Sequence, residues 1–315
     1  MFSEGFTLRY KILIIGLIIT VICLIIHPPV NIQLILFFAI LLITGIPHGS
    51  LDFYLEDQRY IDQKKKISLL LFIVKYLTYM LIYAALWFVL PKTSLLIFIF
   101  IAAYHFGEID WFRKNDSGLN AVMQFIYGLF LIVFLITIHI RDTAPIIAIL
   151  LKNSLADQQI ITIGTSLTLY CEIGFCILSI MIFILRKSLN WTLPDLFSFL
   201  IQTLLLYGIT SLVPFYLSFM FYFGIWHSVL SFDIIRKQLK FANNIAGWKQ
   251  MGLKCMPFVV VAVLALCLFA FSSQRLFFSG RVITNLIIGL AVLTLPHLQV
   301  FSNAIKSVSA SNKDK

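Results

Sequence analysis

Histidine is the residue type in this 315-residue chain that offers chemistry. The sequence contains six of them: His27, His48, His105, His139, His227 and His297. A neutral imidazole binds Zn, Cu, Fe or Ni, and an ionisable side chain within an apolar segment marks a functional site by default because it is costly there. The five cysteines have no metal-binding spacing and are expected to be small buried hydrophobic residues. The question is which histidines could share a metal.

Three histidines lie in local sequences that favour a functional role. His48 lies in GIPHGSLD at 45–52, where helix breakers flank it, and irregular backbone at membrane depth is tolerated mainly where it lines a cavity in the protein. His105 lies in YHFGEID at 104–110, and His227 lies in WHS at 226–228. Metal-bound histidines commonly donate their second ring N–H to a carboxylate. The nearby carboxylates are the expected acceptors: Asp52, Glu108, Asp110 and Asp233.

The chain that must position these histidines has the composition of a membrane protein. Hydrophobic residues make up 60% of it, charged residues make up 12%, and the mean hydropathy is +0.97. A span needs about 20 mostly apolar residues, so the sequence predicts an all-α, polytopic transmembrane helical bundle with about 8 to 10 spans. No stretch is long or polar enough to form a soluble domain. Residues 1–315 are therefore expected to form a single membrane-embedded domain.

Ten spans are the preferred assignment. They are predicted at 10–26, 32–47, 68–90, 94–109, 119–139, 160–185, 195–211, 214–231, 256–272 and 282–301. The division of 195–231 rests on Pro214, because proline favours the first turn of a helix. The first run is expected to be a span and not a cleaved signal peptide, since His27, Pro28 and Pro29 follow it in place of a small-residue cleavage site.

The distribution of lysine and arginine predicts the orientation, because cytoplasmic loops carry an excess of both residues. Of the 24 such residues, Lys75 lies within a span. One set of loops contains Lys92, Arg141, Lys152, Arg275 and Arg281. The other 18 lie on the side of the two termini, which are therefore predicted to be cytoplasmic. The net charge of +10 then reflects topology and attraction to anionic lipid, and no nucleic-acid partner is expected.

This topology separates the histidines into two groups. One group lies near the cytoplasmic ends of the even-numbered spans: His48, His105, His227 and His297. The other group, His27 and His139, lies near the opposite face. If the four helices are neighbours, the first group can converge on one metal, and four neutral ligands can leave coordination positions open for dioxygen or a substrate. The residues alone thus predict a membrane metalloenzyme, with iron as one of several possible metals.

The four segments at 45–52, 104–110, 226–228 and 296–298 together resemble the Brp/Blh family of membrane β-carotene 15,15′-dioxygenases. The first two segments are fairly specific, whereas the Trp-His and Pro-His pairs count through their order and position. Ser50 stands where alanine is common in that family. The resemblance implies Fe(2+) held by the histidines of the first group, with carboxylates such as Asp52 supporting them. It also implies that O2 adds across the central double bond of β-carotene to give two molecules of retinal.

A long polyene dissolves in the bilayer and can enter such a protein laterally, between helices. The implied location is the cell (inner) membrane, as a multi-pass protein with β-carotene and O2 as substrates and no protein partner. Aromatic residues beside the histidine segments are the expected walls of a substrate tunnel: Phe53, Tyr104, Phe106 and Trp226.

Three other functions are compatible with membrane histidines. A desaturase or hydroxylase would show tight histidine boxes, which are absent from this sequence. A haem-binding or other electron-transfer protein would use pairs of these histidines as axial ligands. A proton or ion transporter would spread ionisable groups, among them Lys75 and Glu172, through the depth of the membrane. The grouping of four histidines at one face favours the dioxygenase.

Overall fold

The computed structural model describes residues 2–112, 117–276 and 282–311. The structure is 86% helical, and these described residues contain no β-strand. The α-helices are α1 Phe2–Ile26, α2 Val30–Ile40, α3 Ile46–Gly49, α4 Asp52–Asp62, α5 Leu69–Val89, α6 Pro91–Asp110, α7 Gly118–Thr137, α8 Ile140–Leu150, α9 Asp157–Leu185, α10 Leu193–Leu212, α11 Phe215–Phe219, α12 Ser228–Gln238, α13 Ile245–Leu276 and α14 Val282–Ser311. Two π-helical segments, Leu41–Gly45 and Met220–His227, connect α2 to α3 and α11 to α12. The predicted all-α, polytopic fold class is confirmed.

Within the described residues, ten helical stretches are long and apolar enough to cross a membrane. The predicted division near Pro214 is confirmed, because α10 ends at Leu212 and α11 begins at Phe215. The second stretch, Val30–Asp62, continues well beyond the predicted end at 47. Five charges used to predict the orientation lie outside the described residues: Arg113, Lys114, Arg281, Lys313 and Lys315.

The chain folds into two compact units. The first unit comprises Met1–Gly45, Ala102–Pro145 and Ala156–Ser231. The second unit comprises Ile46–Ile101, Ile146–Leu155 and Phe232–Lys315. The expectation of a single membrane-embedded domain over 1–315 stays a prediction.

In the first unit, α7 packs on α9, α1 on α10, and α2 on α11. Between α6 and α7 the backbones approach so closely that a Cβ at Gly128 would overlap the carbonyl oxygen of Ala103. Likewise, a Cβ at Gly107 would overlap the carbonyl oxygen of Gln124. Small residues permit such contacts between membrane helices. These two glycines therefore fix where α6, and the histidine on it, lies against α7.

In the second unit, α14 packs on α4, α5 and α13, and α3 packs on α13. Aromatic side chains of α4, α5 and α13 also pack together in this unit: the ring centroid of Phe53 lies 5.5 Å from that of Phe72 and 6.4 Å from that of Phe258. Pro296 lies within α14, where it cannot donate a backbone hydrogen bond to the preceding turn. The helix that carries His297 therefore lacks one backbone hydrogen-bond donor just before that histidine.

Candidate metal centre

His105 and His227 form a buried pair in the first unit. His105 lies on α6, and His227 is the last residue of the second π-helical segment. Their ring centroids are 4.8 Å apart at an interplanar angle of 71°, and each residue is only 2% exposed. The ring of Phe106 lies edge-on to His227 at a centroid distance of 4.6 Å. Two imidazoles this close and this dry could bind one ion.

A hydrogen bond joins the two π-helical segments within the first unit. The Thr44 hydroxyl, in the first π-helical segment, donates to the carbonyl of Gly224 in the second at 2.6 Å. A Cβ at Gly224 would overlap the side chain of Ile40. Short π-helical segments inside α-helices occur frequently at functional sites. One segment ends at His227, and the other ends at Gly45, three positions before His48.

Asp110, an expected acceptor for a metal-bound histidine, bonds to the neighbours of His227. Its carboxylate, which is 0% exposed, accepts hydrogen bonds from the hydroxyl of Tyr222 at 2.9 Å and from Nε1 of Trp226 at 2.8 Å. Both donors lie in the π-helical segment that ends at His227. Asp110 therefore holds the segment that carries this histidine in place.

Arg9 completes the same network from α1. Its guanidinium donates to the main-chain carbonyls of Ile109 and Asp110 at the C-terminus of α6, and to Oε1 of Gln202 at 2.9 Å. It also lies over the ring of Trp226, 5.6 Å from the centroid. A cation at a helix C-terminus satisfies carbonyls that have no partner within the helix. In the sequence, Arg9 serves only as one of the positive charges that predict the orientation. No local pattern indicates that Arg9 binds the C-terminus of α6.

His48 and His297 form the corresponding pair in the second unit. Their ring centroids are 5.0 Å apart at an interplanar angle of 80°. His297 is buried, whereas His48 is partly exposed. Each of these histidines directly follows a proline, Pro47 in α3 and Pro296 in α14. The Pro-His pairs seen in the sequence are thus brought together in space.

Asp52 bonds directly to one member of this pair. Its Oδ1 accepts a hydrogen bond from Nδ1 of His297 at 2.8 Å, and its Oδ2 accepts one from the hydroxyl of Tyr76 at 2.9 Å. Asp52 is 2% exposed, so these are buried hydrogen bonds. Because Nδ1 of His297 donates its N–H to Asp52, the other ring nitrogen, Nε2, is the one that would bind a metal.

The two other expected acceptors lie in different surroundings. Glu108 is buried on α6, in the first unit. Asp233 forms ion pairs with Arg236 and Lys237, one turn further along α12. The carboxylate of Asp233 is thus used within its own helix.

The four aromatic residues expected to wall a tunnel are divided between the units. Phe106 and Trp226 are buried beside His227 in the first unit, and Tyr104 is half-buried there. Phe53 belongs to the aromatic cluster of the second unit. Trp226 is committed to Asp110, so packing and hydrogen bonding already account for its position.

The two histidines of the other group belong to neither pair. His27 is exposed and has a positive φ of 48° just after the end of α1. His139 donates from Nε2 to the carbonyl of Thr210 at 2.8 Å. Neither arrangement indicates metal binding.

Tyr76 and Tyr222 are site residues that the sequence did not reveal. Both lie in apolar spans that contain other tyrosines, and no spacing rule links them to the carboxylates that they contact. Lys75 is recognisable in the sequence as a charge within a span, but this does not indicate a role for its neighbour Tyr76. Tyr76 lies 24 positions from Asp52 in the sequence, and Tyr222 lies 112 positions from Asp110. Only the fold brings each tyrosine to its carboxylate.

The fold defines a polytopic helical membrane protein that contains two close pairs of histidines. The chain belongs to the beta-carotene 15,15′-dioxygenase family, whose family model matches residues 10–303. It is also similar to a beta-carotene 15,15′-dioxygenase from the uncultured marine bacterium 66A03, with 24% identity over 265 residues, or 82% of this chain and 90% of the relative. No solved structure matches the chain.

Proposed function

We propose that the chain is a non-haem Fe(2+) dioxygenase that cleaves β-carotene at its central double bond with O2, giving two molecules of retinal. The proposed iron ligands are His48, His105, His227 and His297. The observation that carries this proposal is their pairing: the ring centroids of His105 and His227 are 4.8 Å apart, and those of His48 and His297 are 5.0 Å apart. Membership of the family supports the substrate and the bond cleaved.

The geometry within each pair fits a shared metal ion. With a metal–nitrogen distance of about 2.1 Å and a nitrogen–metal–nitrogen angle of about 90°, two bound imidazoles have ring centres about 4.7 Å apart. Both pairs lie close to this value. Imidazole is a suitable ligand for iron, and the Asp52–His297 bond is the support that metal-bound histidines usually receive. The donor set of each unit therefore fits the group that the family implies.

Bound iron would supply the activation of dioxygen, which side chains alone do not provide. The chain's own residues bind and orient the reactants. Burial of His105, His227 and His297 keeps water from the reacting atoms. Cleavage of the central bond places one oxygen atom on each retinal, so both atoms of O2 enter the products and no external reductant is required.

We also propose a location in the cell (inner) membrane, with both termini cytoplasmic. The ten apolar helical stretches support the multi-pass arrangement. The positive-inside distribution supports the orientation. β-Carotene dissolved in the bilayer would then reach the protein laterally, without a protein partner.

Expression in a bacterial host that accumulates β-carotene tests the proposal. The orange colour should fade and retinal should appear, measured by chromatography of the extracted pigments. Single alanine substitutions at His48, His105, His227 and His297 should each abolish retinal formation and lower the iron content of the purified protein. His27→Ala is the matched control, since His27 is exposed and outside both pairs.

Unchanged carotene in the presence of membrane-inserted protein would overturn the enzyme assignment. A Soret band in the purified protein would instead support the haem alternative. Equal losses after substitution of His27 and of the four proposed ligands would show that the sorting of the histidines is wrong.

A further inference from the structure

Tyr76 completes a chain of three side chains from three helices of the second unit. Tyr76 lies on α5, and its hydroxyl donates to Oδ2 of Asp52 at 2.9 Å. Asp52 is the first residue of α4. Oδ1 of the same carboxylate accepts from Nδ1 of His297 on α14 at 2.8 Å. Both oxygens of Asp52 are therefore engaged, one by each neighbour.

The hydrogen bond from Tyr76 to Asp52 determines how firmly Asp52 orients His297. A carboxylate held by one hydrogen bond can turn about its last side-chain bond, whereas a carboxylate held at both oxygens has a fixed plane. Hydrogen bonds in a buried network also strengthen one another. Tyr76 thus restricts Asp52, and Asp52 in turn restricts the tautomer and ring orientation of His297.

We propose that Tyr76 is a positioning residue, which acts on His297 through Asp52 and presents Nε2 of that histidine for metal binding. Its relation to iron rests on the function proposed above. The hydrogen-bond geometry of the three residues stands independently of any metal.

A cavity beside Tyr76 indicates how large the effect of this residue should be. The cavity has a volume of about 60 Å³ and lies among α4, α5 and α14, where its lining includes Glu56, Lys75, Tyr76, Tyr79 and Gln299. A few water molecules fit such a volume, and polar groups are available to bind them. Water can replace part of what a lost tyrosine hydroxyl supplied. Removal of this hydroxyl should therefore weaken the positioning without abolishing it.

Tyr76→Phe in the full-length protein tests the proposal, with Tyr79→Phe as the matched control. Tyr79 lies one turn further along α5, lines the same cavity and contacts Lys75. Replacing a direct partner of a metal-bound histidine typically costs about 10- to 100-fold in metal affinity, so this more distant residue should cost roughly three- to tenfold. Iron release to a chelator should be faster by that factor in Tyr76→Phe and unchanged in Tyr79→Phe.

A second readout does not require metal. Histidine labelled with 15N reports by NMR which ring nitrogen carries the proton, with His297→Gln used to assign the signal. In metal-free protein, Tyr76→Phe should reduce the population of His297 protonated at Nδ1, and Tyr79→Phe should leave it unchanged. If the wild type binds no iron but its tautomer follows Tyr76, the proposed function fails and the positioning role stands.

A double-mutant cycle tests the route through Asp52. In an Asp52→Asn background, Tyr76→Phe should have almost no further effect on iron release, because the group through which Tyr76 acts is already altered. Equal behaviour of Tyr76→Phe and Tyr79→Phe in both readouts would overturn the proposal. An undiminished effect of Tyr76→Phe in the Asp52→Asn background would also overturn it.

Discussion

The two units support their histidine pairs with a carboxylate in different ways. In the second unit, Asp52 bonds to the ring of His297. In the first unit, Asp110 bonds to Trp226 and Tyr222, which hold the π-helical segment ending at His227. One carboxylate therefore acts on a proposed ligand, and the other acts on the backbone element that carries a proposed ligand.

The local chain geometry around the two carboxylates also differs. His105 and Asp110 lie five positions apart on the continuous helix α6, so their side chains point about 140° away from each other. Between His48 and Asp52 the helix is interrupted, because α3 ends at Gly49 and α4 begins at Asp52. Asp52, which follows this interruption, bonds to a histidine 245 positions away. Similar spacing in sequence thus leads to different contacts.

The largest effect on stability is expected from Asp110→Ala. The change leaves the Trp226 and Tyr222 donors without their buried acceptor, and a hydrogen bond to a charged group contributes about 1.5–3 kcal/mol. The free energy of unfolding should fall by about 3–5 kcal/mol, measured by denaturation in detergent micelles, and the exposed Asp62→Ala serves as the control. Iron loss without lower stability would mean that Asp110 acts on a ligand directly, as Asp52 does.

Asp52→Asn should act mainly on metal retention. Loss of the carboxylate weakens its hydrogen bond to His297, and partners of this kind are worth about 10- to 100-fold in metal affinity. Iron release to a chelator should accelerate by that factor, whereas Asp110→Asn should change it much less. Equal acceleration by the two substitutions would remove the distinction between the units.

Two glycine substitutions should give the smallest effects and should differ between the units. A Cβ at Gly128 would overlap the carbonyl of Ala103, so Gly128→Ala should cost about 1–3 kcal/mol of stability by forcing α6 and α7 apart. A Cβ at Gly49 would lie 3.6 Å from Nδ1 of His297, an ordinary contact, so Gly49→Ala should stay within about 0.5 kcal/mol of the wild type. The melting temperatures of the two variants in detergent measure both effects. A larger loss of stability in Gly49→Ala than in Gly128→Ala would contradict the close approach of α6 and α7.

Most of the membrane-crossing pattern could be predicted, because the length of an apolar run and the position of a proline are local properties. The break before Phe215 was predicted in this way and is confirmed. The continuation of the second stretch to Asp62 was missed, since residues 52–62 form a polar helix that hydropathy does not reveal. The π-helical segments were also missed. The hydrogen bond that joins them, from Thr44 to Gly224, spans 180 positions and has no local signal in the sequence.

The site shows the same division. From hydropathy and charge, the sequence by itself determined a polytopic helical chain. With four short segments, it also predicted a set of four histidines distinct from His27 and His139. Only the tertiary structure decided that His105 pairs with His227 and His48 with His297, and that Asp52 and Asp110 have different partners. The physical reason is that apolar length and charge act within a segment, whereas a hydrogen bond in a dry interior depends on which helices meet.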